Sequence, residues 1–151
     1  GIGMNVLFTD KFVRKTQIDL NLAFDKKISF DLESSDMTDL LKNSDFVSLH
    51  VPAQKSYVIG KNEFNLMKTG AGLINAARGG VVDEKSLIES LDSGKLAFAG
   101  VDTFENEPKP SVKLLMHPKV SLTPHIGAAT NEAQDRIGIE LANQIMTLVK
   151  E

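Results

Sequence analysis

Short apolar runs alternate with amphipathic stretches along most of this chain. The apolar runs predict strands at residues 5–9, 28–30, 46–51, 72–76, 96–101 and 120–123, of which the run at 28–30 is weak and short. The amphipathic stretches predict helices at residues 37–43, 61–67 and 84–91. Strands that alternate with helices are typical of a parallel sheet covered by helices. The pattern therefore predicts an α/β fold.

The ends of the predicted helices carry residues that cap or end helices. Asp36 or Ser35 can cap the first helix, and Asp83 can cap the third, which Gly94 can end. In the last segment, apolar residues recur at steps of three and four: Ala133, Ile137, Leu141, Ile145, Leu148 and Val149. This apolar face predicts a long final helix at about residues 131–150.

Arg78, Glu107 and His125 each lie shortly after one of the last three predicted strands. The carboxyl ends of parallel strands meet at one edge of a sheet, where open α/β sheets place their ligands. We therefore expect the three side chains to converge. An arginine, a carboxylate and an imidazole together can bind an anionic substrate and move a proton beside it.

Each of these residues also has a plainer interpretation. Arg78 precedes two glycines, so its guanidinium can grip a carboxylate from a tight turn, or it is a surface arginine in a strand-to-helix connection. His125 can exchange a proton near neutral pH, or it is a histidine hydrogen-bonded within a loop. Glu107 alone is expected to be a solvated loop glutamate, and it gains a role only by pairing with an imidazole.

Polar side chains at other strand ends indicate a nucleotide site. Asp102 ends an apolar run, and a buried carboxylate there needs a donor such as a ligand amide. Asp10 follows an early run, where dinucleotide-binding folds place a carboxylate on the ribose hydroxyls, although it can equally cap its own loop. His50 ends another run and can line the same pocket. His117 lies in the proline-rich loop predicted at 106–118 and is expected to be solvated.

Composition narrows the classes of function. With 151 residues, 42% apolar and 25% charged, the chain has the size and composition of one globular domain. The net charge of −3 comes with no basic stripe, so no nucleic acid partner is expected. The absence of cysteine excludes a cysteine nucleophile and thiolate metal sites, and it indicates a reducing compartment. We expect no metal, no membrane partner and a cytoplasmic location.

Three segments resemble the signature segments of the NAD-dependent D-2-hydroxyacid dehydrogenases, in the order that this family has them. They are INAARGGVVDE at residues 74–84, AGVDTFENEP at 99–108 and LTPHIGAAT at 122–130. The resemblance implies a Rossmann-like doubly wound parallel sheet, NAD as cofactor, and a 2-hydroxyacid or 2-oxoacid as the small-molecule substrate. It also implies that Arg78, Glu107 and His125 form the catalytic set.

The resemblance and the strand-end positions together define a predicted cofactor set. Its members are Asp10, His50, Val51, Pro52, Ala76, Ala77, Arg78, Asp102, His125 and Gly127. Asp10 favours NAD over NADP, because a carboxylate repels a 2′-phosphate. In the reaction that the family implies, Arg78 holds the substrate carboxylate and His125 takes the hydroxyl proton, while Glu107 steadies the imidazolium.

Within the family, residues 129–134 look most like the D-3-phosphoglycerate dehydrogenase branch. This resemblance implies oxidation of 3-phosphoglycerate to 3-phosphohydroxypyruvate in serine biosynthesis, by a protein that is a homodimer like many relatives. Another D-2-hydroxyacid dehydrogenase is an alternative, either a glyoxylate or hydroxypyruvate reductase or a D-lactate dehydrogenase. A non-enzymatic NAD-responsive binding protein on the same fold is a further one.

The start of the chain departs from the family's pattern. Gly1-Ile2-Gly3 looks like the beginning of a glycine-rich phosphate loop, but no strand precedes it and no helix follows, so we interpret it as the end of a helix. Residues 1–151 are therefore expected to be a partial nucleotide-binding domain. The first strand, the glycine-rich loop, the first helix and the substrate domain are expected to be absent. Such a chain alone is expected to bind NAD poorly, and it could serve only as structural material.

Overall fold

The computed structural model of the chain describes residues 3–21 and 26–149, so the interpretation of Gly1 and Ile2 lies outside the described residues. The strands are β1 (Lys15–Asn21), β2 (Lys27–Glu33), β3 (Phe46–Leu49), β4 (Ala71–Asn75), β5 (Leu96–Val101) and β6 (Val120–Leu122). The helices are α1 (Met37–Asn43), α2 (Lys61–Leu66), α3 (Glu84–Asp92), α4 (Val112–Leu115) and α5 (Asn131–Val149). The predicted helices are all confirmed to within two residues in the described chain, and α4 is a short helix inside the predicted loop.

Strands β3 to β6 form one parallel sheet in the order β3-β4-β5-β6. Helices connect the successive strands, as the alternating sequence pattern predicts. The expectation of a partial Rossmann-like α/β fold is confirmed. The pairing register aligns the carboxyl ends of all four strands, at Leu49, Asn75, Val101 and Leu122.

One face of this sheet forms the hydrophobic core. Val47, Leu73 and Ala99 lie side by side on three strands and are buried. Residues of the helices pack in the same core, and the fully buried ones are Leu41, Phe64, Leu87, Leu91 and Leu114. Burying side chains of this size is the main favourable term in folding. This packing holds the strands in place. It therefore also fixes the edge of the sheet from which the loops of Arg78, Glu107 and His125 start.

The opposite face of the sheet is more exposed than the core face. Ile74 and Phe98 stay partly open to solvent in the described chain. Phe46, Gly72 and Phe98 pair in register, and the two phenylalanine rings lie 6.0 Å apart between centroids. A Cβ atom on Gly72 would stand 2.4 Å from the Phe98 ring, so the glycine lets that ring lie over β4.

The predicted strand at residues 5–9 is wrong. Only Phe8 forms a bridge, parallel to Ser34, and its carbonyl accepts the Ser35 amide at 2.8 Å. A strand needs a hydrogen-bonded neighbour along its whole length, and an apolar pattern does not supply one. Asp10 therefore follows a single bridge rather than a strand.

An antiparallel hairpin of β1 and β2 occupies the segment that the sequence assigned only a weak strand. Apolar residues face each other in the pairs Ile18↔Phe30 and Leu20↔Ile28. Ion pairs such as Asp19 with Lys27 at 2.7 Å lie on the opposite face. Side chains alternate between the faces of a strand, so this period of two explains the hairpin and could have predicted it.

Helix α5 has no buried residue among those described. Several of its apolar residues are more than half exposed: Ile137, Ile139, Leu141, Ile145, Met146, Leu148 and Val149.

In the described part of the chain, no helix combines the length and the apolar character needed to cross a membrane.

The core predicts a sharp contrast between two neighbouring residues of β4. Leu73 is fully buried, whereas Ile74 is 40% exposed on the other face. Leu73→Ala should lower the free energy of unfolding by about 2 to 5 kcal/mol, because it removes buried methyl groups and leaves a cavity. Ile74→Ala is the matched control and should cost clearly less. Urea denaturation measures both, and equal losses would contradict the assignment of the core face.

Candidate active site

The site is built on the aligned carboxyl ends of the four parallel strands. The residues that follow these ends are His50, Ala76, Asp102 and Thr123. Because the last residues of the strands pair in register, these positions lie in one row along the edge of the sheet. The sequence predicted that Arg78, Glu107 and His125 emerge at one edge of the sheet, and this register agrees with that prediction.

Asn75, the last residue of β4, shapes the turn that presents Arg78. The Asn75 side chain is buried; its Oδ1 accepts the Ala77 amide and its Nδ2 donates to the Arg78 carbonyl, both at 3.2 Å. A buried amide with both groups satisfied holds a turn firmly. The Arg78 side chain is exposed, and its Nη1 donates to the Ala77 carbonyl at 2.6 Å.

Gly79 allows this turn to touch the loop after β5. A Cβ atom on Gly79 would lie 1.9 Å from the carbonyl oxygen of Phe104, a distance that no side chain tolerates. The sequence predicted that the two glycines after Arg78 allow a tight turn. The structure shows that the neighbour at Gly79 is the backbone of the adjacent loop.

Glu107 and His125 form a hydrogen-bonded pair. His125 Nδ1 lies 2.9 Å from Glu107 Oε2, and Glu107 Oε1 accepts the Phe104 amide at 2.9 Å. The Phe104 amide and, after it, His125 lower the pKa of Glu107. An ionised carboxylate only accepts, so Nδ1 carries the proton of this bond and Nε2 is the nitrogen left for a substrate. Glu107 is thus paired with an imidazole, although its side chain stays 38% exposed.

His125 has a backbone conformation that non-glycine residues seldom adopt. Its φ angle is 56°, in the left-handed region. Histidine occurs there more often than most residues, and such conformations cluster at functional sites. The conformation supports a functional interpretation of His125 over that of an ordinary loop histidine.

Asp102 ties the loop after β6 to the end of β5. Its Oδ1 accepts the Thr123 hydroxyl at 2.5 Å and the Ile126 amide at 3.2 Å. Burial opposes ionisation, but these hydrogen bonds and the nearby His125 outweigh it and lower the pKa of Asp102. Sequence reasoning missed Thr123 and Ile126. Thr123 follows β6 as Asp102 follows β5, and this matching position was the available signal.

A groove of about 390 Å³ lies between residues 7–10 and strand β3. Asp10, His50 and Val51 line it. Asp10 Oδ1 accepts the amides of Phe12 at 2.7 Å and Val13 at 2.8 Å, which lowers the pKa of Asp10. The loop-capping role that the sequence left open for Asp10 is therefore present, on a residue that also faces the groove.

The other predicted cofactor residues lie around the same edge. Pro52 is exposed beyond the end of β3, and Ala77 is buried in the Arg78 turn. Gly127 lies two positions after His125, and a Cβ atom on it would stand 3.5 Å from Asp102 Oδ2.

Within residues 3–21 and 26–149, no group of three or more His, Cys, Asp or Glu side chains could hold a metal ion.

The expectation that His117 is solvated is wrong. Only 7% of its side chain is exposed. Its Nε2 lies 3.2 Å from Asp92 Oδ1, and its Nδ1 accepts the Lys119 amide at 3.1 Å. Helix α4 lies just before His117 and contacts α3, the helix that ends at Asp92. Both ring nitrogens have partners, so His117 is a structural residue.

Two proteins of known sequence are similar to this chain over most of its length. D-3-phosphoglycerate dehydrogenase of Archaeoglobus fulgidus is 40% identical over 150 residues, covering 97% of this chain and 27% of that protein. Hydroxypyruvate reductase of Thermotoga maritima is 47% identical over 119 residues, covering 76% of this chain and 39% of that protein. The chain thus spans well under half the length of these two relatives.

The fold is shared with a solved structure of the same class. D-lactate dehydrogenase from Aquifex aeolicus, in complex with NAD and lactic acid, has a TM-score of 0.63 and 34% identity, over 79% of this chain and 41% of that one. The family profile described as D-isomer specific 2-hydroxyacid dehydrogenase, NAD binding domain, matches residues 1–127. These similarities confirm the resemblance seen in the three motif segments, and the chain belongs to the NAD binding domain family of the D-isomer specific 2-hydroxyacid dehydrogenases.

Proposed function

We propose that the protein containing this domain oxidises a D-2-hydroxyacid to the 2-oxoacid with NAD, and that Arg78, Glu107 and His125 are its catalytic residues. The observation that carries the proposal is the bond of 2.9 Å between His125 Nδ1 and Glu107 Oε2 at the carboxyl edge of the sheet. Membership of the dehydrogenase family supports the same reaction class.

In this proposal His125 is the general base. Its Nε2 takes the proton of the substrate hydroxyl, and in the reverse direction the same nitrogen returns it. Glu107 accepts from Nδ1 throughout and stabilises the imidazolium that forms. The Phe104 amide holds Glu107 from the other side, so the carboxylate stays ionised and in place.

Arg78 binds the substrate carboxylate in this proposal. A guanidinium offers five donors in one plane, and two of them can hold both oxygens of a carboxylate. The turn closed by Asn75 and the contact of Gly79 with Phe104 set where this guanidinium stands. Two-point binding fixes the plane of the substrate and brings its hydroxyl toward His125.

The residues along the strand ends fit NAD. The groove beside Asp10 and His50 has a volume in the range of small-molecule sites, and a carboxylate there suits the hydroxyls of a ribose. Asp102 lies near His125, where its second oxygen can accept a hydrogen bond from the nicotinamide carboxamide. When bound, NAD supplies the acceptor for the hydride that leaves the substrate.

The best substrate candidate is 3-phosphoglycerate, oxidised to 3-phosphohydroxypyruvate in serine biosynthesis. The resemblance of residues 129–134 supports it, as does the similarity of 97% of the chain to a protein named D-3-phosphoglycerate dehydrogenase. The similarity to a hydroxypyruvate reductase supports the alternative of a reductase for hydroxypyruvate or glyoxylate.

We further propose that the protein is a cytoplasmic homodimer. The absence of cysteine supports the cytoplasmic location, and the exposed apolar side chains of α5 support the homodimer.

A panel of substrates tests the reaction class and the substrate together. The full-length protein is assayed with NAD and each of D-3-phosphoglycerate, D-glycerate and D-lactate, and NADH formation is followed by absorbance. We expect kcat/KM to be highest for D-3-phosphoglycerate. A preference for D-glycerate would favour the reductase alternative. NAD binding without turnover on any substrate would favour the non-enzymatic binding protein.

His125→Gln tests the general base. Glutamine keeps a similar size and polarity but cannot take up a proton, so kcat should fall by about a hundredfold or more. The dissociation constant of NAD, measured by calorimetry, should change little. His117→Gln is the control, because it replaces a histidine outside the proposed site and should leave kcat close to that of the wild type. Unchanged turnover in His125→Gln would remove His125 from the mechanism.

The pKa of Glu107 predicts a dependence of stability on pH. Because folding lowers this pKa, the ionised carboxylate adds stability above the unfolded value of about 4.3, and this contribution disappears as the pH falls through the folded pKa. Glu107→Gln lacks the contribution at every pH. The gap in urea midpoint between wild type and variant should therefore be steady at neutral pH and close below about pH 4. A gap that stays constant down to pH 3 would contradict the pKa direction.

A further inference from the structure

Two glutamates cross-link the segments that carry the proposed catalytic residues. The Glu84 amide donates to Glu105 Oε1 at 2.9 Å, and the Glu105 amide donates to Glu84 Oε1 at 2.8 Å. Each carboxylate thus accepts the backbone amide of the other residue. We refer to Glu84 and Glu105, with these two hydrogen bonds, as the glutamate clasp.

The clasp joins the Arg78 turn to the Glu107 loop. Glu84 begins α3, six positions after Arg78, and the intervening Val81 and Val82 are buried in the core. The Val81 carbonyl accepts the amides of Val58 and Ile59, so this connection is held along its length. Glu84 is therefore joined to the Arg78 turn by a short connection that is anchored in the core.

On the other side, the clasp is adjacent to the catalytic pair. Glu105 follows Phe104, whose amide donates to Glu107 Oε1, and Glu107 Oε2 meets His125. The carbonyl of Phe104 is also the group against which Gly79 packs. The same short stretch of backbone thus contacts the Arg78 turn, Glu84 and Glu107.

The arrangement places two carboxylates together at some electrostatic cost. Only 7% of Glu84 is exposed, and burial, together with the charge of Glu105, raises the pKa of Glu84 although the Glu105 amide opposes the shift. At the start of α3, Asp83 accepts the amides of Lys85 and Ser86, and Glu105 accepts the remaining Glu84 amide. Stability of the helix end does not explain the second bond, in which Glu84 reaches back to accept the Glu105 amide.

We propose that Glu84 and Glu105 are positioning residues, which hold the Arg78 turn at a set distance from the Glu107–His125 pair. The inference rests on the proposed dehydrogenase function and adds residues that do not touch the substrate. Catalysis needs the substrate carboxylate and hydroxyl held at once by two separate segments, and misplacement by about 1 Å can cost a hundredfold in rate. The clasp supplies side-chain bonds between those two segments.

The test compares variants of the full-length enzyme. Glu105→Ala removes the acceptor for the Glu84 amide, and kcat should fall about tenfold or more while KM for the 2-hydroxyacid rises. The dissociation constant of NAD should stay within about twofold of the wild type, because Asp10, His50 and Asp102, through which NAD is proposed to bind, are not part of the clasp. Glu105→Gln should restore most of the activity, since its amide oxygen can still accept from Glu84.

Asp83→Ala is the matched control. It removes the N-cap of the same helix, at a cost of about 1 kcal/mol in stability, and leaves both bonds of the clasp in place. If the clasp positions the site, Asp83→Ala should keep kcat near the wild-type value, even where its loss of stability is similar to that of Glu105→Ala. Equal losses of kcat in Asp83→Ala and Glu105→Ala, or full activity in Glu105→Ala, would overturn the proposal. Should Glu105→Ala not fold, Glu84→Ala replaces it, because it removes the reciprocal bond.

A second readout separates this proposal from the function on which it rests. The 15N chemical shift of His125 Nδ1 reports its bond to Glu107 without any turnover. It should change in Glu105→Ala and stay in place in Asp83→Ala and Glu105→Gln. An enzyme inactive on all substrates would refute the proposed function, and an unchanged His125 signal in Glu105→Ala would refute the positioning role.

Discussion

The register of the parallel sheet is the constraint on which the site depends. The last residues of β3 to β6 pair side by side, so each following residue starts a loop at the same edge. A slip of one residue would turn the side chains of a strand to the other face and displace its loop. The register is secured by the buried row of Val47, Leu73 and Ala99, so core packing positions the chemistry without touching it.

Carboxylates and one amide connect the loops at this edge. Asn75 closes the Arg78 turn, Asp102 holds the loop after β6, and Glu107 bridges Phe104 and His125. Each accepts backbone amides or a hydroxyl, and a hydrogen bond to a charged group is stronger than a neutral one. The donors of these bonds, together with His125, lower the pKa of Asp102 and Glu107, so the carboxylates that organise the loops are also kept ionised beside His125.

Much of the α/β framework could be predicted from local patterns. Asp83 was identified as a cap from its position alone, and Asp36 was one of two candidates with Ser35. Both aspartates accept amides of the first helical turn. The strand predicted at residues 5–9 was wrong because an apolar run does not show whether a neighbouring strand is available for pairing. The hairpin of β1 and β2 was missed although its period of two is visible. His117 was misjudged because only the fold brings Asp92 to its ring.

The sequence by itself determined the fold class, the family and the order of the polar clusters, because periodicity and motifs are local properties of the chain. Only the tertiary structure decided which residues meet. The pairing of Glu107 with His125, the hold of Asp102 on Thr123 and the clasp of Glu84 with Glu105 join residues 18 to 21 positions apart. The reason is geometric, since distances between such residues depend on how the strands and helices pack and not on their spacing along the chain.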